Sequence, residues 1–303
     1  MAEWGIFHLS MLDEKVHLDI PREIKNEISR CDFLFPKSPQ IHLNHGCINI
    51  LGEYFVGTTA PIISALEDFI DCQPIGTNMT PIRDPVLAAA IYSAVDFRLP
   101  IQHNPTTLAS ESYLSHRFWS PLLTGAVDET KLQYNWEVMC QEGFGSNKGK
   151  MFVDFGAYTL INGEPYYILL AEIEHGTTDD AMHKDLVVLA AEMQLVLEHS
   201  THHVAIEDIR YLHVYGLLLL KTSAEMLVMG AFYNEDSGEL SFVLKETAAR
   251  LKFNLTEPPE LVKDIVDFFS FIKMAADPDC TGISQERFDR PGQRINCKYY
   301  ISL

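Results

Sequence analysis

Basic residues are scarce in this chain. It carries 23 Lys and Arg against 42 Asp and Glu, a formal charge of −19 over 303 residues. Affinity for nucleic acid comes largely from cations that displace counterions from phosphate. So acidic a field excludes binding over the whole surface and requires a local basic patch. The C-terminal run Arg287, Arg290, Arg294 and Lys298 is the one candidate, and a solvated tail with a few cations is the plainer account of it. Long hydrophobic runs are also lacking. No stretch reaches the roughly 18 apolar residues a membrane span needs, since the run from Leu186 to Leu197 is broken by Glu192 and that from Val214 to Leu220 is bounded by Lys221. The opening MAEWGIFHLSMLDEK has no positive segment followed by an apolar one, so no secretory signal is expected there. Cysteines stand singly at positions 31, 47, 72, 140, 280 and 297 with no C-x-x-C. That spacing excludes a zinc knot or a disulfide framework and leads us to expect reduced thiols in the cytoplasm or nucleus.

What is present is an ordinary globular composition, 47% hydrophobic and 21% charged, enough to bury a core in one large domain or two modest ones. Residues 1–104 read mostly as short helices between Pro-rich turns. Pro21-Arg22-Glu23 opens one, Ala60–Ile70 forms another, and Asp84-Pro85 caps a third that runs to about Val95. The aperiodic Leu99–Thr107, with two prolines, marks a boundary. Residues 105–276 then alternate helices and strands, and 277–303 form a tail. Ser110–Leu123 has helical spacing at Tyr113, Leu114, Phe118 and Leu122. Gln133–Val138 is a short strand. Met151–Leu160 and Tyr166–Glu174 are two more, joined across Asn162-Gly163, a strong hairpin signal. A long helix begins after Thr177 or Thr178 and runs through His199, with acids in its first turn. Tyr211–Lys221, Glu225–Tyr233 and a short Ser241–Leu244 are strands, and Pro258–Ala276 is an amphipathic helix. The expected class is α/β, a mixed sheet flanked by helices, with a helical N-terminal region.

Three acids fall where a metal-dependent phosphodiesterase needs them. Asp154 lies near the start of one hairpin arm, and Glu172 and Glu174 lie at the end of the other. Residues two apart on a strand share a face, so Glu172 and Glu174 project together. Carboxylates on both arms can meet at one hard cation, Mg²⁺ or Mn²⁺, which takes one or two carboxylates and several waters. Such a metal activates water and steadies charge on phosphate. A solvated hairpin edge would display the same three acids.

This pattern resembles the PD-(D/E)XK nuclease superfamily, in which Asp opens one strand and E-x-K ends its hairpin partner. Asp154 matches the aspartate, Glu172 the first residue of the tripeptide, and Glu111 the supporting glutamate of the leading helix. In its order of segments the chain looks most similar to uncharacterised nuclease-like proteins of early-diverging fungi, which carry E-x-K-P and an H-x-D-L helix. His183-Lys184-Asp185-Leu186 matches the latter. The resemblance covers a little over half the chain and implies a restriction-endonuclease-like core, Mg or Mn as cofactor and nucleic acid as partner. Two departures stand out. Val153 replaces the proline before Asp154, and Glu174 replaces the lysine that orients water and offsets developing charge. Lysines that have migrated in this way occur elsewhere in the superfamily, including the cap-snatching endonucleases of segmented RNA viruses. Lys184 is the candidate here; alternatively Glu174 could add a metal ligand. At 100° per residue Lys184 shares a face with Val188, Ala191 and Leu195, and is expected to point inward. It would equally be a lysine snorkelling from an apolar helix. The alternative to an active enzyme is a catalytically inactive module, kept on the same scaffold, that binds a protein partner.

Other motifs are weaker. His199 and His203 are four apart, a zinc-compatible spacing, but Ser200 and Thr201 suggest a helix end where histidine is favoured by the dipole alone, and no H-E-x-x-H is present. His42 and His45 beside Cys47 lack a second ligand pair. The glycines of 142–150 fit no phosphate-loop pattern and precede a strand, so they read as a flexible loop over Asp154.

Overall fold

The computed structural model describes residues 6–9, 114–128, 130, 132–141, 151–161, 163–174, 179–220, 223–234, 238–252 and the helical residues 264–265, 267–269 and 271–272. Glu111, the three helices expected before residue 100, the loop 142–150, the His42/His45/Cys47 group and the C-terminal basic run lie outside these residues. The described part of the 1–104 region, β1 (Ile6–Leu9), is a strand rather than a helix.

Seven strands form one mixed sheet in the order β1-β7-β6-β5-β4-β3-β2. After β1 come a π-helical turn at Leu114–Trp119 that continues as α1 (Ser120–Asp128), then β2 (Gln133–Gln141), β3 (Met151–Ile161) and β4 (Glu164–Ile173). Helix α2 (Asp179–Thr201), a 3₁₀ turn at Ile206–Tyr211, β5 (His213–Leu219), β6 (Ser223–Asn234) and β7 (Glu239–Lys252) follow. The β2-β3-β4 meander is antiparallel and β4 pairs parallel with β5. Parallel neighbours need a crossover of a dozen or more residues, and α2 supplies it. The Asn-Gly hairpin forms as its sequence predicts. Ile161 pairs with Glu164 across a two-residue connection, and Gly163 has φ of 85°, a value glycine adopts without steric cost.

Several elements depart from expectation: β2 runs on to Gln141 and the first helix to Asp128. β7 runs for 14 residues, well beyond Ser241–Leu244. Its second half, Lys245–Lys252, puts Thr247, Ala249 and Leu251 inside and Arg250 and Lys252 outside, an alternation carried by small residues that hydropathy understates. The chain from Tyr211 enters as a 3₁₀ turn, so β5 starts at His213.

Helix α2 lies against β4 and β5, and every residue from Leu189 to Leu197 is buried. A helix enclosed all round belongs to the core, and this one carries Glu192 and Gln194 inside with it. The approach is close at Gly216, where a Cβ would stand 2.5 Å from Met193 Sδ and 3.3 Å from Leu189 Cδ2. Trp119 meets Phe269 with ring centroids 6.3 Å apart, tying the first helix to the C-terminal helical residues. Among the described residues no helix is long and apolar enough to cross a membrane.

Gly216→Ala should lower the unfolding free energy by about 1–3 kcal/mol, the usual cost of overpacking. Combined with Met193→Ala the two losses should be sub-additive in urea melts, because the second change removes the clash. Strict additivity would mean that α2 does not rest on Gly216.

Candidate functional site

The β3–β4 ladder ends at Phe155 opposite Ala171. One step further, in the same register, Asp154 stands opposite Glu172, and opposed residues of an antiparallel pair share a face. There the Asp154 side chain takes over from the backbone ladder, its Oδ2 accepting the Ile173 N–H at 2.7 Å. Glu174 continues the line, its N–H donating to Leu219 O at 2.9 Å. Glu172 pairs in register with Leu218, two residues beyond the Leu170–Gly216 pair over which α2 packs. The acids at the end of β4 therefore face helix α2.

That helix answers them with acids of its own. Asp185 and Glu192 are seven residues, or two turns, apart and share a face. Glu192 is 1% exposed and is hydrogen-bonded to the Glu172 side chain. Asp185 is near enough to Glu174 to feel its charge. Three of these oxygens, Glu172 Oε1, Asp185 Oδ2 and Glu192 Oε2, are buried with no hydrogen-bond partner among the described residues.

The electrostatic consequences follow from burial first and like charge second. Burial pushes the Glu172 carboxyl well above its ordinary range, and Asp154, Asp185 and Glu174 add to the rise, while the Glu192 hydrogen bond opposes it. Glu192 is raised further still, by burial, by the neighbouring Glu172 and by Asp154. Two carboxyl groups in contact away from water hold a proton between them, and the titration belongs to the pair. Asp185 is also raised, by burial and by Glu174, with Lys184 pulling the other way.

Asp154 and Glu174 thus both lie near enough to Glu172 to act on its charge. Lys184 does not turn inward: its side chain is exposed, and its charge bears on Asp185 beside it. The helical-wheel argument fails because α2 is enclosed on all sides from Leu189 onward, so its apolar face does not define an inside for the first turns. Glu192 and Asp185 were missed. The signal for Glu192 was its position as the single acid interrupting an otherwise apolar run, and Asp185 lay within the H-x-D-L segment itself. Glu137, in the edge strand between Trp136↔Phe155 and Val138↔Val153, stands in register with Asp154 and has φ of 53°. A non-glycine residue pays about 1 kcal/mol or more for that conformation.

The histidines form no comparable site. His199 and His203 lie with ring centroids 5.0 Å apart, exposed at the end of α2. Among the described residues no three His, Cys, Asp or Glu side chains are already grouped to hold a metal ion. His213 is buried, with Nδ1 bonded to Tyr211 O at 3.0 Å, so this nitrogen carries the proton and donates. Burial lowers its pKa to about 4.

Because Glu172 and Glu192 titrate higher in the folded state than the ordinary value of 4.5, the native protein holds protons that the unfolded chain releases. Their contribution is complete below the unfolded value and is lost as pH rises through the folded values. In EDTA, Glu192→Gln should match wild type near pH 4 and exceed it in thermal stability at pH 8, by on the order of 1 kcal/mol or more. A stability difference independent of pH would show that folding does not raise the Glu192 carboxyl above its ordinary value. No family model matches this chain, nor does any curated protein or solved structure.

Proposed function

We propose that this chain is a nuclease-like protein that binds Mg²⁺ or Mn²⁺ between Asp154 and Glu172 and hydrolyses phosphodiesters slowly. The observation that carries this reading is the placement of those two carboxylates, opposite each other on adjoining strands at the point where the ladder gives way to the Asp154 side chain. The order of elements supports it. A leading helix, a hairpin bearing the acids, the helix α2 and the parallel strand β5 are the succession that the resemblance to the PD-(D/E)XK superfamily implies. The donor set also suits a hard cation, which prefers carboxylate oxygens, and the buried oxygens without partners are acceptors such an ion would satisfy. When bound, the metal supplies a polarised water and positive charge beside the phosphate.

The protein's own residues explain the slowness. Asp154 and Glu172 hold the metal on a shared face. Glu174, on the strand face where the family carries lysine, sets a negative charge beside an incoming phosphate and cannot offset the charge that develops there. Lys184 is the substitute cation, reaching the phosphate from the solvent side of the first turns of α2 rather than from within. The net charge of −19 weakens non-specific capture of nucleic acid and makes it strongly salt-dependent.

A second reading has an observation of its own. Glu172 and Glu192 form a self-contained pair, and a site so closed on itself suits a catalytically inactive scaffold that binds a protein partner.

Single- and double-stranded DNA and RNA incubated with the protein in Mn²⁺ should be cut weakly. Glu174→Lys should raise the rate by about ten-fold or more, as restoring a transition-state cation does, and Lys184→Ala should remove the wild-type residue of activity while leaving the melt unchanged. Failure of both wild type and Glu174→Lys to cut any substrate favours the binding module. Vigorous cleavage that survives Lys184→Ala overturns the role given to that lysine.

Millimolar Mn²⁺ or Mg²⁺ should raise the melting temperature, since a ligand of the folded state stabilises it by mass action, and Asp154→Asn should abolish the rise. An unchanged midpoint in both metals removes the cation from the account.

A further inference from the structure

We propose that Glu192 of helix α2 is a third protein ligand of the cation held by Asp154 and Glu172, so that the site spans two layers of the fold rather than one hairpin. This inference rests on the reading of the acids as a cation site and extends it to a residue that the short sequence motif does not contain.

The first observation is where Glu192 lies. It is 1% exposed, in the middle of nine consecutive buried residues, and its Oε2 has no hydrogen-bond partner among the described residues. The second is where it is aimed. Its side chain bonds to Glu172, and Asp154 is close enough to act on both. The facing oxygen, Glu172 Oε1, is likewise buried and without a partner.

Chemistry narrows what completes such an arrangement. Leaving a buried polar group unsatisfied costs on the order of 1–3 kcal/mol, and more if it is charged. A leucine at 192 would fill the same space without that cost, as apolar replacement of buried ionic groups generally does. No basic side chain among the described residues is among the groups acting on Glu172 or Glu192. The proton that Glu172 and Glu192 share still leaves Glu172 Oε1 and Glu192 Oε2 without partners, and a counterpart that takes its place must be positive, small enough to enter between a helix and a sheet, and content with oxygen. A Mg²⁺ or Mn²⁺ ion meets all three conditions. Supplying one ligand from α2 also gives the helix a part in the site. Its register against β5 is set at Gly216 and Met193, and Met193 is the next residue after Glu192.

The test is Mn²⁺ binding to the full chain at pH 7.5, by isothermal titration and by the Mn²⁺-induced change in melting temperature. Wild type, Glu192→Gln, Glu192→Leu and Glu174→Gln are compared. Glu174→Gln removes one charge from the same cluster and so measures the electrostatic loss alone. Wild type should bind one ion. Both Glu192 variants should melt no lower than wild type without metal, yet bind Mn²⁺ at least about ten-fold more weakly, and Glu174→Gln should lose distinctly less.

If wild type and both Glu192 variants bind equally, Glu192 is not a ligand and the two-carboxylate site stands without it. If Glu174→Gln loses as much as Glu192→Gln, the affinity reflects total charge and the inference fails in the same way. If wild type binds neither Mn²⁺ nor Mg²⁺, the cation reading itself is wrong, and this inference goes with it.

Discussion

Burying Glu192 is the constraint on which the rest of the site depends. A carboxyl group taken out of water must find a partner, share a proton or meet a cation, and helix α2 leaves it no route to solvent. Glu172 is what it meets. That contact joins the end of β4 to the middle of α2, and the meeting of two acids sets their titration and leaves Glu172 Oε1 and Glu192 Oε2 without partners. Asp154 is fixed from another direction. Its Oδ2 is committed to the Ile173 N–H, and its charge acts on Glu172. Sheet geometry therefore positions two carboxylates, and helix packing positions the third.

The parallel β4–β5 pair explains why an acidic cluster forms at this place in the sheet. A crossover helix packs over the strands it connects, and α2 lies over both β4 and β5. Acids at the end of β4 and acids one and three turns into the helix then face each other without any long-range loop. Gly216 lets the helix come close, and the closeness excludes water. The same geometry leaves Lys184 outside, on a turn that is not yet enclosed.

Much of this was legible in the sequence, and the rest was not, for particular reasons. Asn162-Gly163 announced the hairpin, and the two-residue spacing of Glu172 and Glu174 put them on one face. The long apolar run after Thr178 announced α2. What periodicity could not give was the orientation of a helix buried on every side, and a helical wheel points Lys184 inward on that false basis. It was equally silent on the second half of β7, whose inward residues include Thr247 and Ala249, and on Ile6–Leu9, whose pairing with β7 joins segments more than 230 positions apart by their registers. Glu192 was visible as an interruption, but its significance depends on which strand lies across from it. That is a fact of tertiary packing, and no local pattern encodes it.

The most direct test of the account is to soak crystals of the protein in Mn²⁺ and locate the ion by its anomalous scattering. The account predicts one peak between β4 and α2, bounded by Asp154, Glu172 and Glu192, with Glu172 and Glu192 drawn apart to admit it. A map with no peak there, in crystals whose Glu172 and Glu192 carboxyls remain bonded to each other, would contradict it.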